Sequence, residues 1–438
     1  MEQNFIKEFK LRNLDTVSPT FCAAKWLDAT IWLSEGFSTS CHHNPLHRIN
    51  LDDLATNPSA LHNTEQKRLE RQVMLRGEQP SGCQYCWKIE NETSSFSDRV
   101  YKSYGIGQDN IIKLKLAGLE DQNPQLRTLE ISFDNVCNMA CLYCNQSFSN
   151  KWDNDLKKFG PYININSETS NNYKNPKDQL PPEEIKKYVD AFWQWWPDLK
   201  KNLKWFRITG GEPLLNENTW KIIEDLANDK SSLHLMINTN LNHKPAIIEK
   251  LIEHKDMYPN MSLFTSLESM GPHAEYVRDG LDLELWKSNL LKLLDNGIKI
   301  HIMTTVNILS LDSITDFYEF CINLQAQGKS LSYDCNLLRY PRFLAIGNLS
   351  QELKDYYLEK LSAWFETNSN RITNEKYQIE KLIDYIKKVE HPDQHNQFYS
   401  KENLRLELKD FLRQFDIRRL KSHKAIFDPK LVNWINNG

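Results

Sequence analysis

The chain predicts an α/β protein, and three observations lead there. Between residues 126 and 345, short apolar or β-branched runs alternate with longer stretches of helical periodicity. The first 110 residues carry four of the nine cysteines in short spacings. From Gln351 the pattern turns charged and helical as far as about Leu420. Strand–helix alternation argues for a parallel sheet covered by helices. A chain of 438 residues exceeds one ordinary domain, and an apolar share of 40% permits a large core. The expected division is therefore 1–110, 126–345 and 346–438.

In the first block, Cys22 precedes the apolar run Leu27 to Leu33, Glu35-Gly36 reads as a turn, and Cys41 follows. This predicts a hairpin with a cysteine at each end. Asn63 to Arg76 predicts a helix capped by Asn63 or Thr64 and stopped by Gly77. Cys83 and Cys86 come next, as a CxxC pair. Residues 97–125 are charged and polar and read as a connection. In the central block the strand candidates are Thr128–Phe133, Trp205–Thr209, His234–Asn238, Leu263–Leu267, Lys299–Val306 and Leu331–Asn336. Helical stretches between them include Thr219–Leu226, Pro245–His254, Leu283–Leu294 and Ser313–Gln325. Residues 150–180, rich in Asn, Lys and Ser, read as a long loop, with a helix resuming at Pro181-Pro182-Glu183-Glu184. The C-terminal helices are expected to form a lid or a partner surface.

Composition narrows the function classes. A net charge of −4 gives no electrostatic case for nucleic-acid binding. No run of eighteen apolar residues exists to span a membrane. The start, M-E-Q-N-F-I-K-E-F-K, lacks the apolar stretch of a signal peptide. Clustered cysteines fit metal ligation in a reducing, cytoplasmic setting better than a disulfide framework.

The most informative segment is F-D-N-V-C-N-M-A-C-L-Y-C-N, which places Cys137, Cys141 and Cys144 in a CxxxCxxC spacing. Three thiolates hold three corners of an iron–sulfur cube and leave one iron open, whereas a plain electron carrier fills every iron with cysteine. A structural zinc site takes four ligands. The cysteines follow the strand candidate that ends at Phe133, and parallel barrels place active residues at the C-terminal ends of strands. Phe206-Arg207-Ile208-Thr209 then runs into Gly210-Gly211-Glu212-Pro213. Bare glycine backbone admits close approach, and a glutamate accepts hydrogen bonds from an ammonium group.

Together, the cysteine loop and the G-G-E-P segment resemble the radical S-adenosylmethionine (SAM) superfamily. The resemblance implies a partial (β/α)6 TIM-like barrel. It implies a 4Fe–4S cluster on Cys137, Cys141 and Cys144, with SAM on the fourth iron and Gly210, Gly211, Glu212 and Pro213 beside its amino group. Ser266 and Arg278 stand where relatives hold the SAM carboxylate, and Asn307 where they contact the ribose. The common S-x-D-G pattern reads Ser266-Leu267-Glu268-Ser269 here. The implied chemistry is reductive cleavage of SAM to a 5′-deoxyadenosyl radical that removes a hydrogen atom from substrate, with an external electron donor. The fragments C-A-A-K-W, S-C-H-H-N-P and C-Q-Y-C-W-K-I-E resemble N-terminal twitch or SPASM-like modules. They imply a second, auxiliary 4Fe–4S cluster on Cys22, Cys41, Cys83 and Cys86, with zinc as the alternative because CxxC pairs serve zinc equally well. Cys321 and Cys335 read as buried small apolar residues.

For substrate, the resemblance favours a ribosomally made peptide that is cross-linked, epimerised or spliced, as in tyramine excision. A separate peptide-recognition protein is the expected partner. The alternatives are a small molecule (sugar, nucleoside or amino acid) and a non-catalytic iron–sulfur or zinc protein.

Overall fold

The computed structural model describes residues 2–92, 95–120, 123–167, 172–175, 180–372, 375–389 and 399–437. Parts of the 150–180 segment and of the C-terminal region therefore lie outside the described residues. The strands, in chain order, are β1 (Asp28–Trp32), β2 (Phe37–Thr39), β3 (His47–Arg48), β4 (Thr128–Ser132), β5 (Ala140–Cys141), β6 (Trp205–Thr209), β7 (His234–Asn238), β8 (Met261–Ser266), β9 (Arg278–Asp279), β10 (Ile300–Met303) and β11 (Leu331–Tyr333). The chain divides by compactness into two units. One comprises residues 1–134, 179–210 and 228–236, and the other 135–178, 211–227 and 237–438. These bounds differ from the blocks expected above, and β7 falls on the division.

In the first unit β4 pairs in parallel with β1 on one side and β6 on the other, so Ile31, Ile131 and Ile208 lie side by side. Leu129 and Ile131 are both buried, the mark of a strand covered by packing. The expected hairpin is present: β1 and β2 run antiparallel, and β3 adds to β2. Helix Pro182–Asn202 buries Tyr188, Phe192, Trp195, Trp196 and Leu199 along one face, the i, i+4 spacing of an amphipathic helix. Phe192 meets Phe133 edge-on at 5.2 Å and Phe206 at 6.3 Å. Helix Glu65–Leu75 starts at Thr64, whose hydroxyl accepts from the Lys67 amide, and Gly77 follows at φ +78°. Residues 98–117, expected as a connection, form two helices instead. Their Val100, Ile106, Ile111 and Leu114 enter a core with Phe21, Trp26 and Trp87. Burial of one stripe outweighs the polar average of that stretch.

In the second unit β8, β10 and β11 are parallel, with Leu263 opposite Ile300 and Ile300 opposite Leu331. Helices Leu283–Asp295 and Ile314–Ala326 connect them, close to their expected bounds. Both units thus carry largely parallel α/β structure, as the sequence predicts. The segment read as loop from residue 150 opens with helix Asn150–Phe159, capped by Ser149 and burying Trp152 and Leu156. Helix Lys401–Arg419 is part of this unit's core. Its Phe411 stacks on Tyr162 at 4.9 Å and lies 5.4 Å from Tyr173. Among the described residues no helix is long and apolar enough to cross a membrane.

Candidate iron–sulfur and SAM site

The loop after β4 carries the three cysteines. Trp152 fixes it from below by donating its indole N–H to the Cys141 carbonyl at 2.9 Å, and Ser149 donates to the Met139 carbonyl at 2.6 Å. Tyr173 donates to the Cys144 carbonyl at 2.8 Å. Cys141 is further held by β5, which pairs antiparallel with β9 so that Cys141 faces Arg278. The three thiols share one locale. Burial and then Cys141 push the Cys137 thiol up to about 12. Burial, Cys141 and Cys137 raise Cys144 as well. Burial thus disfavours the thiolate forms, and any cation held there would have to offset that cost.

Two polar networks flank the sulfurs. In the first, Glu212 is buried, accepting from the Asn240 amide at 2.6 Å and lying 3.1 Å from His243 Nε2. The Asn240 side chain donates to Asn138 at 2.6 Å and lies 3.9 Å from the Cys137 sulfur. In the second, Arg278 donates to Glu268 at 2.6 Å and reaches within 3.8 Å of the Cys141 sulfur. The Tyr143 hydroxyl donates to Glu268 at 3.2 Å. Against burial, which lowers it, Glu268, Tyr143 and Cys141 raise the Arg278 pKa, so the guanidinium stays charged.

The glycines of G-G-E-P serve packing. A Cβ on Gly210 would sit 2.7 Å from the Asp134 carbonyl oxygen, and one on Gly211 only 2.2 Å from that of Val136. Their bare faces meet the backbone that leads into the cysteine loop. Glu212 donates its amide to that same Val136 oxygen at 2.7 Å and caps the short helix Pro213–Leu215.

Of the expected residues, the structure brings Cys137 together with Glu212 through Asn240, and Cys141 together with Arg278. Ser266 ends β8, half-buried and opposite Met303. Asn307 is fully buried, and its amide is engaged in its own turn, accepting from Leu309 at 3.0 Å and donating to the Thr305 carbonyl at 2.9 Å. Asn240, His243, Tyr143 and Glu268 were not singled out as site residues. Asn240 and Glu268 stand at strand ends beside expected positions, which is the available signal. His243 carries none.

The N-terminal cysteines also converge. Cys22, Cys41, Cys83 and Cys86 line one small cavity with Lys25, Asn44 and Arg99. Asn44 Oδ1 lies 3.4 Å from the Cys41 sulfur and 3.6 Å from that of Cys83. Buried Lys25 pairs with buried Glu70, and buried Arg99 grips Glu90 at 2.7 and 2.9 Å. Cys321 and Cys335 are buried, as expected.

Residues 131–321 match the family model described as the radical SAM superfamily. The chain is 26% identical over 242 residues to a probable GTP 3′,8-cyclase of Methanocaldococcus jannaschii, covering 53% of this chain and 63% of that protein. It is 24% identical over 200 residues to a probable GTP 3′,8-cyclase of Methanococcus aeolicus, covering 45% and 56%. The chain thus spans less than two thirds of these curated relatives. Among solved structures, Streptococcus suis SuiB bound to S-adenosylmethionine aligns at TM-score 0.36 and 15% identity, covering 80% of this chain and 70% of that one. The structure titled anSMEcpe with bound AdoMet and Cp18Cys peptide aligns at TM-score 0.35 and 14% identity, covering 56% and 61%. The stretch that carries the three-cysteine loop and the G-G-E-P segment, residues 131–321, is thus the part of the chain that matches the radical SAM superfamily.

Proposed function

We propose that this protein is a radical SAM enzyme that modifies a ribosomally synthesised peptide. The observation that carries the chemistry is the loop of Cys137, Cys141 and Cys144, three half-buried thiols in one locale with Asn240 beside Cys137 and Arg278 beside Cys141. These cysteines would hold a 4Fe–4S cluster with one iron left to SAM. When bound, that pair supplies a 5′-deoxyadenosyl radical on one-electron reduction. The chain's own part is orientation and exclusion. Glu212 fixes the Asn240 turn beside Cys137, Glu268 fixes Arg278 beside Cys141, and the aromatic layer of Trp152, Tyr162 and Tyr173 closes the loop's inner side to water.

Two features support a peptide substrate. The four N-terminal cysteines line one cavity and would ligate an auxiliary cluster, with zinc as its rival. The first unit also carries an open groove of about 940 Å³ along β3, lined by Leu46, Arg48, Leu69 and Glu65. Among the described residues β3 is an edge strand. An extended chain can add to such an edge. The second reading is a nucleotide-sized substrate, favoured by the curated relatives named GTP 3′,8-cyclase.

Anaerobic incubation with SAM and dithionite tests the chemistry: 5′-deoxyadenosine is expected, and its loss in the Cys137/Cys141/Cys144 triple alanine variant. No 5′-deoxyadenosine from the iron-loaded protein overturns it. Mass spectrometry of candidate peptides co-expressed with the protein, set against incubation with GTP, decides the substrate class. A changed nucleotide with every peptide unchanged overturns the peptide reading.

A further inference from the structure

We infer that the outer face of the cysteine loop, in the second unit, is the docking surface for an acidic one-electron carrier protein. The inference rests on the cluster assignment to Cys137, Cys141 and Cys144. A groove of about 340 Å³ runs along this face, and its wall includes Asn138 and Ala140, which lie between the first two cysteines. Exposed Gly280 lines it too, packed so close to the loop that a Cβ would stand 2.9 Å from the Asn138 carbonyl oxygen. Electron transfer weakens steeply with distance, so a donor has to seat on a face of this kind.

The charge of the groove selects the visitor. Lys151, Lys158, Arg418 and Arg419 line it, and Lys421 reaches in to Asp279 at 2.7 Å. Only two carboxylates stand against these five cations, and both are neutralised in place. Asp155 is held by Arg418 at 2.9 Å and also by Arg419, while Asp279 is held by Arg419 at 2.8 Å and by Lys421. Lys151 and Lys158 remain exposed. This positive face sits on a chain whose net charge is −4. A cationic rim raises the encounter rate with an anionic partner and makes that rate salt-dependent.

Phe159, which also lines the groove, is 44% exposed, with Arg418 lying 5.7 Å over its ring. An exposed aromatic ring among lysine and arginine suits a transient protein interface. The reaction served balances simply: the flavin hydroquinone of the carrier loses one electron, and the cluster gains it.

The test compares two reductants on the iron-loaded enzyme. The first is dithionite, which needs no docking, and the second is a photoreduced acidic flavodoxin. In Lys151→Glu/Lys158→Glu, the flavodoxin-driven initial rate of 5′-deoxyadenosine formation is expected to fall roughly tenfold and lose its salt dependence. The dithionite-driven rate and iron content should stay unchanged. Lys151→Arg/Lys158→Arg should keep the wild-type rate, and so should Lys186→Glu, a reversal on the other unit. Equal flavodoxin rates in the Glu variants and wild type overturn the docking surface while leaving the cluster assignment intact. A dithionite-driven fall in peptide turnover in the same variants assigns the face to substrate and overturns it too. Failure of dithionite to drive cleavage in the wild type strikes the cluster assignment itself, and this inference with it.

Discussion

At Gly211 one methyl group separates the native loop from a clash. Its hypothetical Cβ lies 2.2 Å from the Val136 oxygen and 2.6 Å from the Asn135 carbonyl carbon, both backbone atoms one or two residues before Cys137. Backbone cannot swing aside as a side chain can, so Gly211→Ala should displace the cysteine loop. The expected result is a loss of bound iron and a stability cost of about 1–3 kcal/mol, the range for overpacking, read by iron assay and denaturant unfolding. A second residue-scale prediction concerns Lys25 and Glu70, which are 2% and 4% exposed. Glu70 also lies 3.3 Å from Asn44, the residue that touches two cysteine sulfurs. Removing one member leaves a buried charge alone, so Glu70→Ala should cost about 3–5 kcal/mol. Lys25→Met/Glu70→Met should cost markedly less than Glu70→Ala alone. The pair also sets an acid limit. Burial raises the Glu70 pKa, but His47 and Lys25 outweigh it and hold the carboxylate down at about 2 rather than 4.5. A depressed carboxyl stabilises the fold above its ordinary pKa and loses that contribution as pH falls toward the depressed value. The unfolding free energy of metal-free wild type should therefore fall from about pH 4.5 downward, and Glu70→Gln should flatten that slope.

Elements with a clean period were readable in advance, and those set by distant partners were not. β6 and β7 match their expected bounds because each is a short apolar or β-branched run, Trp205-Phe206 with Ile208-Thr209 and Leu235-Met236-Ile237. Helix Glu65–Leu75 was legible from its cap and its stop glycine. Helix Asn150–Phe159 was hidden by its Asn and Lys content, although Trp152 and Leu156 already stand four apart. Its burial depends on Phe411 and Phe415, more than 250 residues later in the chain. The pairing of β5 with β9 is shorter still, two residues on each side, and no local pattern announces it. Yet this pair aligns Arg278 with Cys141. Its stability hangs on Glu268, a fully buried carboxylate that takes Arg278 at 2.6 Å. Glu268→Ala should strand the guanidinium and cost about 3–5 kcal/mol. Glu268→Gln, which keeps an acceptor oxygen, should cost less and retain iron. An iron-to-protein ratio preserved in Glu268→Ala would show that the mini-pair stands without its carboxylate.

Across the whole chain, the two cysteine sets fall in different units: Cys22, Cys41, Cys83 and Cys86 in one, Cys137, Cys141 and Cys144 in the other. Chemistry was more legible than substrate for a physical reason. Radical generation needs a few residue types at fixed spacing, whereas recognition spreads over surfaces that only the fold assembles, as the groove proposed at β3 would be. Separate placement makes the two sites separable by mutation. If each holds a four-iron cube, anaerobic protein should carry about eight irons, and alanine at all three central cysteines should leave about four. Alanine at the N-terminal four should leave a similar number but on the other site, where SAM still binds. That second variant should go on making 5′-deoxyadenosine under dithionite while turning over substrate poorly, because radical formation and substrate handling then reside in different places. Zinc in the N-terminal site predicts instead about four irons and one zinc in the wild type, with iron untouched by the N-terminal substitutions. Metal analysis of three proteins therefore decides between cluster and zinc, and the product ratio decides whether the first unit serves the radical or its target.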